Sequence, residues 1–492
     1  MKKIIALCVG LHLFMACSKE EKEIEVLQDQ DLYSVKEINA FMEDQIKTFG
    51  DVDWKKAEAK MLYSAVMRGG EVLSVGYGDK GESFSNGSKT KSTLNARQNV
   101  MNIVAENEGV LKSRFEETDG VLNVIDVPIS KLETVKALLS TSQIRYLDPM
   151  GYNQFAPSGQ GYQQKNAGCD MVNEPINSRD VSKITPNALL PWNFAIHKIP
   201  QAWAKSTGAG VTIGVIDTGL SSSQSLLNGD INNGASRGRS VKRFGTYIES
   251  PWPWAKGVDG PEDRCGHGTQ MSAVIGSPRN NKGMPVGVAY NSNLVVYRGT
   301  SDVLLDDFHE RKGVSNALVA LANRSDVKII SMSIGFLYTI GNIRDAVKYA
   351  YSKGKLIICA GGTSTNFTNW YGIIFPASMR ETVAVTGISD NGYKRCDICH
   401  DGNMDFTIVM QRRSNPDRNV PVLGFNNGTT RYSSGSSVAT AMTSGIAALI
   451  WAKNPRLNRN QVLDKLKRSG EFYPRRDKRF GYGNINALKA VQ

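Results

Sequence analysis

Ile213-Gly214-Val215-Ile216-Asp217-Thr218-Gly219-Leu220 is a short β-branched run that ends on a carboxylate and a turn. Apolar residues at both phases of the period-2 alternation mark a strand buried on both faces, and Thr218-Gly219 stops it. Further runs of this kind follow at Leu294–Tyr297, Val327–Met332, Leu356–Ala360 and Thr382–Thr386. Helical spacing lies between several of them, including Val314–Ala322 and Ile343–Ser352. Buried strands alternating with amphipathic helices predict an α/β fold with a doubly wound, mostly parallel sheet. Functional groups in such sheets gather at the carboxyl ends of strands, where Asp217 and the loop after Ala360 fall.

Two further blocks carry chemistry. Gly266–Ser272 (GHGTQMS) presents His267 between glycines, so a substrate backbone and a hydroxyl can approach the ring. His267 is one of five histidines in 492 residues, which makes its setting informative. Gly435–Met442 (GSSVATAM) places Ser437 at the start of a helix of small residues. There the positive end of the helix and the Ser437 N–H can meet a developing oxyanion. Taken singly, each has a plain reading: Asp217 as a turn residue, His267 as a loop residue, Ser437 as an N-cap. Taken together, a carboxylate, an imidazole and a hydroxyl are the parts of nucleophilic acyl transfer.

The three blocks resemble the Asp, His and Ser signatures of the subtilase family, in that family's chain order. The resemblance runs from Leu190 to Gln492, and Gly481–Ala487 (GYGNINA) is similar to the family's C-terminal segment. It implies a subtilisin-like fold and a serine endopeptidase acting on polypeptides. In that reading His267 takes the Ser437 proton, Asp217 orients His267, and water clears an acyl-enzyme. Ser333-Ile334-Gly335 resembles the edge strand that pairs with bound peptide. With Ala360 and Gly361 it is expected to line an open, apolar specificity pocket. Phe375-Pro376 resembles a dipeptide whose proline can be cis in the family.

The chain departs from the family at one telling place. Ala-Gly-Asn is usual where this chain has Ala360-Gly361-Gly362, and the missing Asn side chain donates to the oxyanion. Losing such a donor costs about 2.7–4 kcal/mol of transition-state stabilisation. Thr363 is the favoured substitute; Asn366, Asn369 or the backbone N–H of Gly362 are the alternatives. A second reading follows from the same departure: a weak or inactive binding protein on this fold.

The N-terminal half reads as delivery and processing. Lys2 and Lys3 precede the apolar run Ile4–Met15, and Ala16-Cys17 resembles a bacterial lipobox, with Phe14 where Leu is usual. Residues 1–16 are thus expected to be a lipoprotein signal, with Cys17 lipidated and the protein anchored to a membrane of the cell envelope. The alternative is a secretory signal with an incidental Cys. Residues 17–50, with the charged run Lys19–Glu25, read as a tether ending in a short helix. Residues 51–150 read as a small α+β domain. The strand in Val121–Pro128, the helical spacing of Ser130–Leu139 and the ending Asp148-Pro149 are similar to a subtilase propeptide, which implies an intramolecular inhibitor. Residues 151–188 have the composition of a linker and are the expected processing region, and 189–492 the peptidase domain.

Five cysteines lie beyond the signal, so one thiol is left over, with Cys359 in its apolar strand the best candidate. Cys396-Asp397-Ile398-Cys399-His400 matches the haem-attachment pattern, but a haem would need space inside the peptidase domain. A local disulfide, a metal clip or two free thiols fit better. Calcium is frequent in the family, yet no EF-hand-type loop occurs and the scattered carboxylates assign no site. The net charge of +12 comes without a nucleic-acid motif or a tight basic run, so it reads as a generally basic surface with no nucleic-acid partner.

Overall fold

A computed structural model describes residues 31–79, 81, 84, 89–109, 116–117, 120–154, 167–363 and 372–492, at 116–117 for the backbone only. The N-terminal unit comprises α1 (Val35–Phe49), α2 (Ala59–Arg68), β1 (Val72–Tyr77), α3 (Lys91–Glu108), β2 (Glu116–Glu117), β3 (Val124–Pro128), α4 (Leu132–Leu139) and β4 (Ile144–Asp148). Its antiparallel sheet has the order β2-β3-β1-β4.

The short helix expected at the end of 17–50 is α1, and it belongs to the packed unit and not to a tether. Ser34 and Glu37 close a capping box at its start. Ile38, Met42 and Ile46 lie one turn apart and enter the same core as Leu62, Val75 and Val127. The packed unit therefore begins before residue 51. The polar composition concealed this docking because only one stripe of the helix is apolar.

The linker composition of 151–188 also conceals structure. β5 (Val181–Ile184) pairs with β6 (Ala188–Pro191) in an antiparallel hairpin. Just before it, the buried Asp180 binds Arg412 Nε at 2.9 Å, Arg418 Nε at 2.6 Å and Tyr432 Oη at 2.6 Å. The partners lie far along the chain, which is why local composition gave no sign of them.

The elements of the second unit follow as α5 (Trp192–Ile196), α6 (Ile199–Trp203), β7 (Thr212–Asp217), β8 (Val241–Gly245), α7 (His267–Gly276), β9 (Asn293–Arg298) and α8 (Phe308–Asn323). Then come β10 (Val327–Met332), α9 (Gly341–Ser352), β11 (Leu356–Ala360), β12 (Thr382–Ser389) and β13 (Phe406–Gln411). The chain closes with β14 (Val420–Leu423), β15 (Thr430–Ser433), α10 (Gly435–Lys453), α11 (Arg459–Ser469) and α12 (Ala487–Ala490). Seven parallel strands form one sheet in the order β13-β12-β11-β10-β7-β9-β8. β7, β11, β12 and β13 are buried along their whole length, as a sheet covered on both faces requires. The expected subtilisin-like, doubly wound α/β fold is thus what the chain forms. β8 and β13 join the five strands anticipated from sequence. The edge strand β8 alternates in burial and has no apolar run to announce it.

Alternate residues of each strand serve opposite layers. Ile213 and Val215 pack with α7 and α10, while Ile216 faces the layer of α8 and α9. α10 is long and apolar enough to cross a membrane, but 94% of its apolar window is buried, and it serves as the central core helix.

The N-terminal sheet covers the outer side of α8 and α9, and one apolar core runs through both units. Polar contacts fix the docking. Arg145 meets Asp345 at 2.7 Å, Lys312 meets Asp126 at 3.2 Å, and Arg311 donates to the carbonyl of Met150 at 2.8 Å. Asp148 Oδ2 accepts the Gly341 N–H at 2.6 Å, so a carboxylate of one unit caps a helix of the other. Two disulfides close, Cys169–Cys265 and Cys396–Cys399, and Cys359 is the buried free thiol. With both sulfurs of the CxxCH sequence joined to each other, neither is available for a haem thioether. The Phe375–Pro376 bond is cis, as the resemblance implied.

Candidate active site

The sequence-selected residues stand on three separate elements, β7, α7 and α10, and α7 packs against both of the others. Asp217 ends β7 and is fully buried. His267 opens α7. Its Nδ1 donates to Asp217 Oδ1 at 2.7 Å, and Asp217 Oδ1 also accepts the Thr218 N–H at 2.8 Å. The close approach rests on glycines: a Cβ at Gly268 would run into the Gly219 carbonyl. Burial pulls the His267 pKa down. The charge and hydrogen bond of Asp217, with Asp263 and Asp302 beyond, outweigh that and leave it raised.

Ser437 lies in the first turn of α10, whose opening N–H groups have no acceptor within the helix. It is nearly buried, and its Oγ donates to the Ser333 carbonyl at 3.4 Å. Ser333 Oγ returns a bond to the Ser437 carbonyl at 3.1 Å. The nucleophile candidate is thus held against the strand expected to bind peptide.

Asp263 is the residue that sequence reasoning passed over. It is buried, and one oxygen accepts from Thr218 Oγ1, Cys265 N and Gly266 N at 2.8–2.9 Å. The other accepts from Thr269 N at 2.9 Å and Thr269 Oγ1 at 2.6 Å. It ties the turn after Asp217 to the loop that carries His267. Its proximity to GHGT in sequence was the available signal.

The Gly362 departure has a structural cause. Its φ of +130° lies where side chains are strained, and a Cβ there would meet the ring of His400. His400, from the CxxCH sequence, holds the spot through its N–H to the Gly362 carbonyl at 3.0 Å and its Nδ1 to the Gly372 carbonyl at 3.0 Å. Burial lowers the pKa of this imidazole. An Asn at 362 would have to displace it.

Thr363 and Ser436 form a small hydroxyl network beside Ser437. Gly362 N–H donates to Ser436 Oγ at 3.2 Å, Ser436 N–H donates to Thr363 Oγ1 at 3.2 Å, and the two hydroxyls are 3.0 Å apart. Two hydroxyl protons exist and one bond between the hydroxyls consumes one. The other remains to be directed at a charge in the cavity. Asn366 and Asn369 lie outside the described residues, as does Cys17.

Ser333, Ile334, Gly335, Ala360, Gly362 and Thr363 border one cavity together with Ser437. Gly361 does not line it; a Cβ there would point at Met404. The cavity measures about 50 Å³, so the open slot expected from small residues is instead narrow, walled by Phe336, Leu337, Ile374 and His400. The groove above it is also closed. Gly335 donates to the Val303 carbonyl at 3.1 Å and accepts from Leu305 N at 3.2 Å, so its pairing groups are occupied. Val303 N in turn donates to the Ala167 carbonyl at 3.2 Å, and Ala167 N to Asp302 Oδ2 at 3.0 Å. No group of three or more His, Cys, Asp or Glu among the described residues is placed to hold a metal, and no step below uses one.

Comparison with known proteins places this geometry. Residues 208–483 match the model of the Subtilase family. Thermitase of Thermoactinomyces vulgaris is 27% identical over 304 residues, covering 60% of this chain and 92% of its own. Subtilisin BL of Lederbergia lenta is 26% identical over 307 residues, covering 62% of this chain and 99% of its own. The crystal structure of MycP1 from Mycobacterium smegmatis shares the fold at a TM-score of 0.51 and 20% identity, over 68% of this chain and 90% of that one.

Proposed function

Since the chain belongs to the subtilase family and is a subtilisin-like serine peptidase, we propose that it cleaves internal peptide bonds with Asp217, His267 and Ser437 as its triad. The observation that carries this reading is the buried 2.7 Å bond from His267 to Asp217, with Ser437 at the helix start beside the peptide-binding strand. Neutral His267 removes the Ser437 proton once the hydroxyl turns from the Ser333 carbonyl. Ser437 Oγ attacks the carbonyl carbon, His267 protonates the leaving amine, and water repeats the sequence on the ester. A fluorophosphonate probe should label the processed protein, with the adduct on Ser437 by peptide mass spectrometry. Processed protein that takes no label would end this reading in favour of the inactive binding protein suggested by Gly362.

The oxyanion is stabilised by the Ser437 N–H and by the spare hydroxyl proton of the Thr363–Ser436 pair. With Ser436 Oγ–H donating to Thr363 Oγ1 the spare proton is that of Thr363, and Thr363→Val removes this donor together with the acceptor of the Ser436 N–H. It should lower kcat about 10²-fold with little change in KM, because the lost bond exists only in the transition state. Equal turnover by the two proteins would reject this role for Thr363.

Residues 51–150, with α1 added, act as a propeptide, and the intact chain is a zymogen. One feature supports this: the sheet docked on α8 and α9, with a core shared between the two units. Docking should depend on pH through Asp148, whose carboxyl is pushed up to about 6, chiefly by burial against the favourable Gly341 N–H bond. The docked unit therefore holds this proton more tightly than the free one. Docking is strongest below the ordinary Asp range and weakens as pH rises through about 6. Resistance of the docked unit to limited proteolysis should fall as pH rises from about 4 to 6, and Asp148→Asn should flatten that fall; an unchanged slope in the variant would exclude Asp148.

The reading extends to export and attachment to a membrane of the cell envelope through Cys17, with polypeptides as substrates and no nucleic-acid partner. Metabolic labelling with palmitate, lost in Cys17→Ser, checks the anchor.

A further inference from the structure

A second cavity, of about 620 Å³, opens at the amino ends of β10 and β11, the opposite end of the sheet from Asp217 and Ala360. That volume is in the range of pockets that hold small organic ligands, about 300–1,000 Å³. Three loops form it: the exit of α8 with the start of β10, the exit of α9, and the connection from α10 to α11. They contribute Arg324, Lys328, Lys353, Lys355, Arg456 and Arg459 to its wall, and neither Asp nor Glu lines it.

The charge is poorly compensated. Among the described residues, Asp326 is the one carboxylate paired with any of the six, at 2.7 Å from Arg324, and it is half exposed. Lys355 is 5% exposed, and its Nζ donates only to the carbonyls of Arg324 and Val327. An ammonium has three donors, and two are used. Arg324 Nε is buried without a hydrogen-bond partner. Burial first, then the charge of Lys328, lower the Lys355 pKa to about 8; Asp326 opposes this, and Arg324 and Lys353 add smaller contributions in the same direction as Lys328. Gathering like charges around a half-enclosed space is unfavourable unless an anion offsets it. The first turn of α11 adds its positive end at Arg459, and Trp451 supplies a flat apolar wall with Lys328 over its ring.

We propose that this cavity binds a phosphate-bearing anion, either free or carried on a lipid headgroup, at a site separate from catalysis. Arginine forks and lysine point charges together suit a phosphate with several acceptor oxygens. The volume leaves room for a second phosphate or an organic body.

Titration calorimetry of the full chain with sodium pyrophosphate in chloride buffer tests this. Saturable binding is expected, weakened about tenfold or more by Lys328→Glu with Arg456→Glu, two exposed positions whose reversal leaves the fold intact. Lys355→Met should weaken it as well, and a matching Tm for the double variant confirms that folding is unaffected. Sedimentation with phosphatidylcholine vesicles, with and without phosphatidylglycerol, separates the two sources. Binding to the anionic vesicles that the double variant loses assigns a headgroup. Pyrophosphate binding without that loss assigns a free phosphate. Absence of saturable pyrophosphate binding together with equal vesicle binding by the two proteins overturns the proposal.

Discussion

Ser437→Ala is expected to lower kcat for a peptide substrate by about 10⁶-fold, with residual turnover from substrate positioning alone. The size follows from what is removed. Ser437 Oγ is the atom that would become acyl-bonded, and without it water must attack directly with no covalent intermediate to divide the barrier. The fold should be unaffected. The side chain is nearly buried in a helix of small residues, and its hydroxyl makes the 3.4 Å contact with the Ser333 carbonyl. Alanine fills the same space and favours the helix. The variant should therefore keep its Tm, remain as the uncut chain, and take no fluorophosphonate. Turnover within tenfold of the unaltered enzyme would place the nucleophile elsewhere.

Asp217→Asn is expected to cost about 10⁴-fold in kcat while leaving the backbone in place. Asp217 Oδ1 accepts both His267 Nδ1–H and the Thr218 N–H. An amide can turn its NH₂ toward the ring and select the tautomer in which Nε2 carries the proton and cannot accept one. A second readout distinguishes this from a packing defect. His267 must be neutral to act as base, so kcat/KM rises with pH through its pKa. Asp217 raises that pKa against burial, so the acid limb of the unaltered enzyme lies above the ordinary imidazole value of 6.5. Without the carboxylate, burial dominates and the limb moves to lower pH. A pH–rate profile of the variant with an unmoved limb would count against Asp217 as the partner of His267.

Much of this could be read from the chain because the signals were local. β7, β10 and β11 are short, mostly apolar runs rich in β-branched residues, and the glycines around His267 and the small residues after Ser437 report how closely their neighbours approach. The misses were of another kind. α1 was expected as a helix, but its docking hid in a polar stretch because a single stripe of Ile38, Met42 and Ile46 sufficed for it. The hairpin after Asp180 hid because its anchors, Arg412, Arg418 and Tyr432, are more than two hundred residues away. The specificity pocket looked open because small residues were counted without Phe336, Leu337, Ile374 and His400, which close it.

The sequence by itself determined the family, the sheet and the three residues proposed for catalysis, since each rests on short blocks with their own periodicity and composition. It also marked Gly362 as a departure. Only the tertiary structure explained that departure, because the space an Asn side chain needs is filled by His400, a residue from another loop. Only the tertiary structure turned a dispersed excess of positive charge into one cavity with six cations, because three loops distant in the chain meet at the amino ends of two neighbouring strands. Local pattern decides which strands and helices form; which side chains confront one another across loops is decided by packing, and no window of sequence contains it.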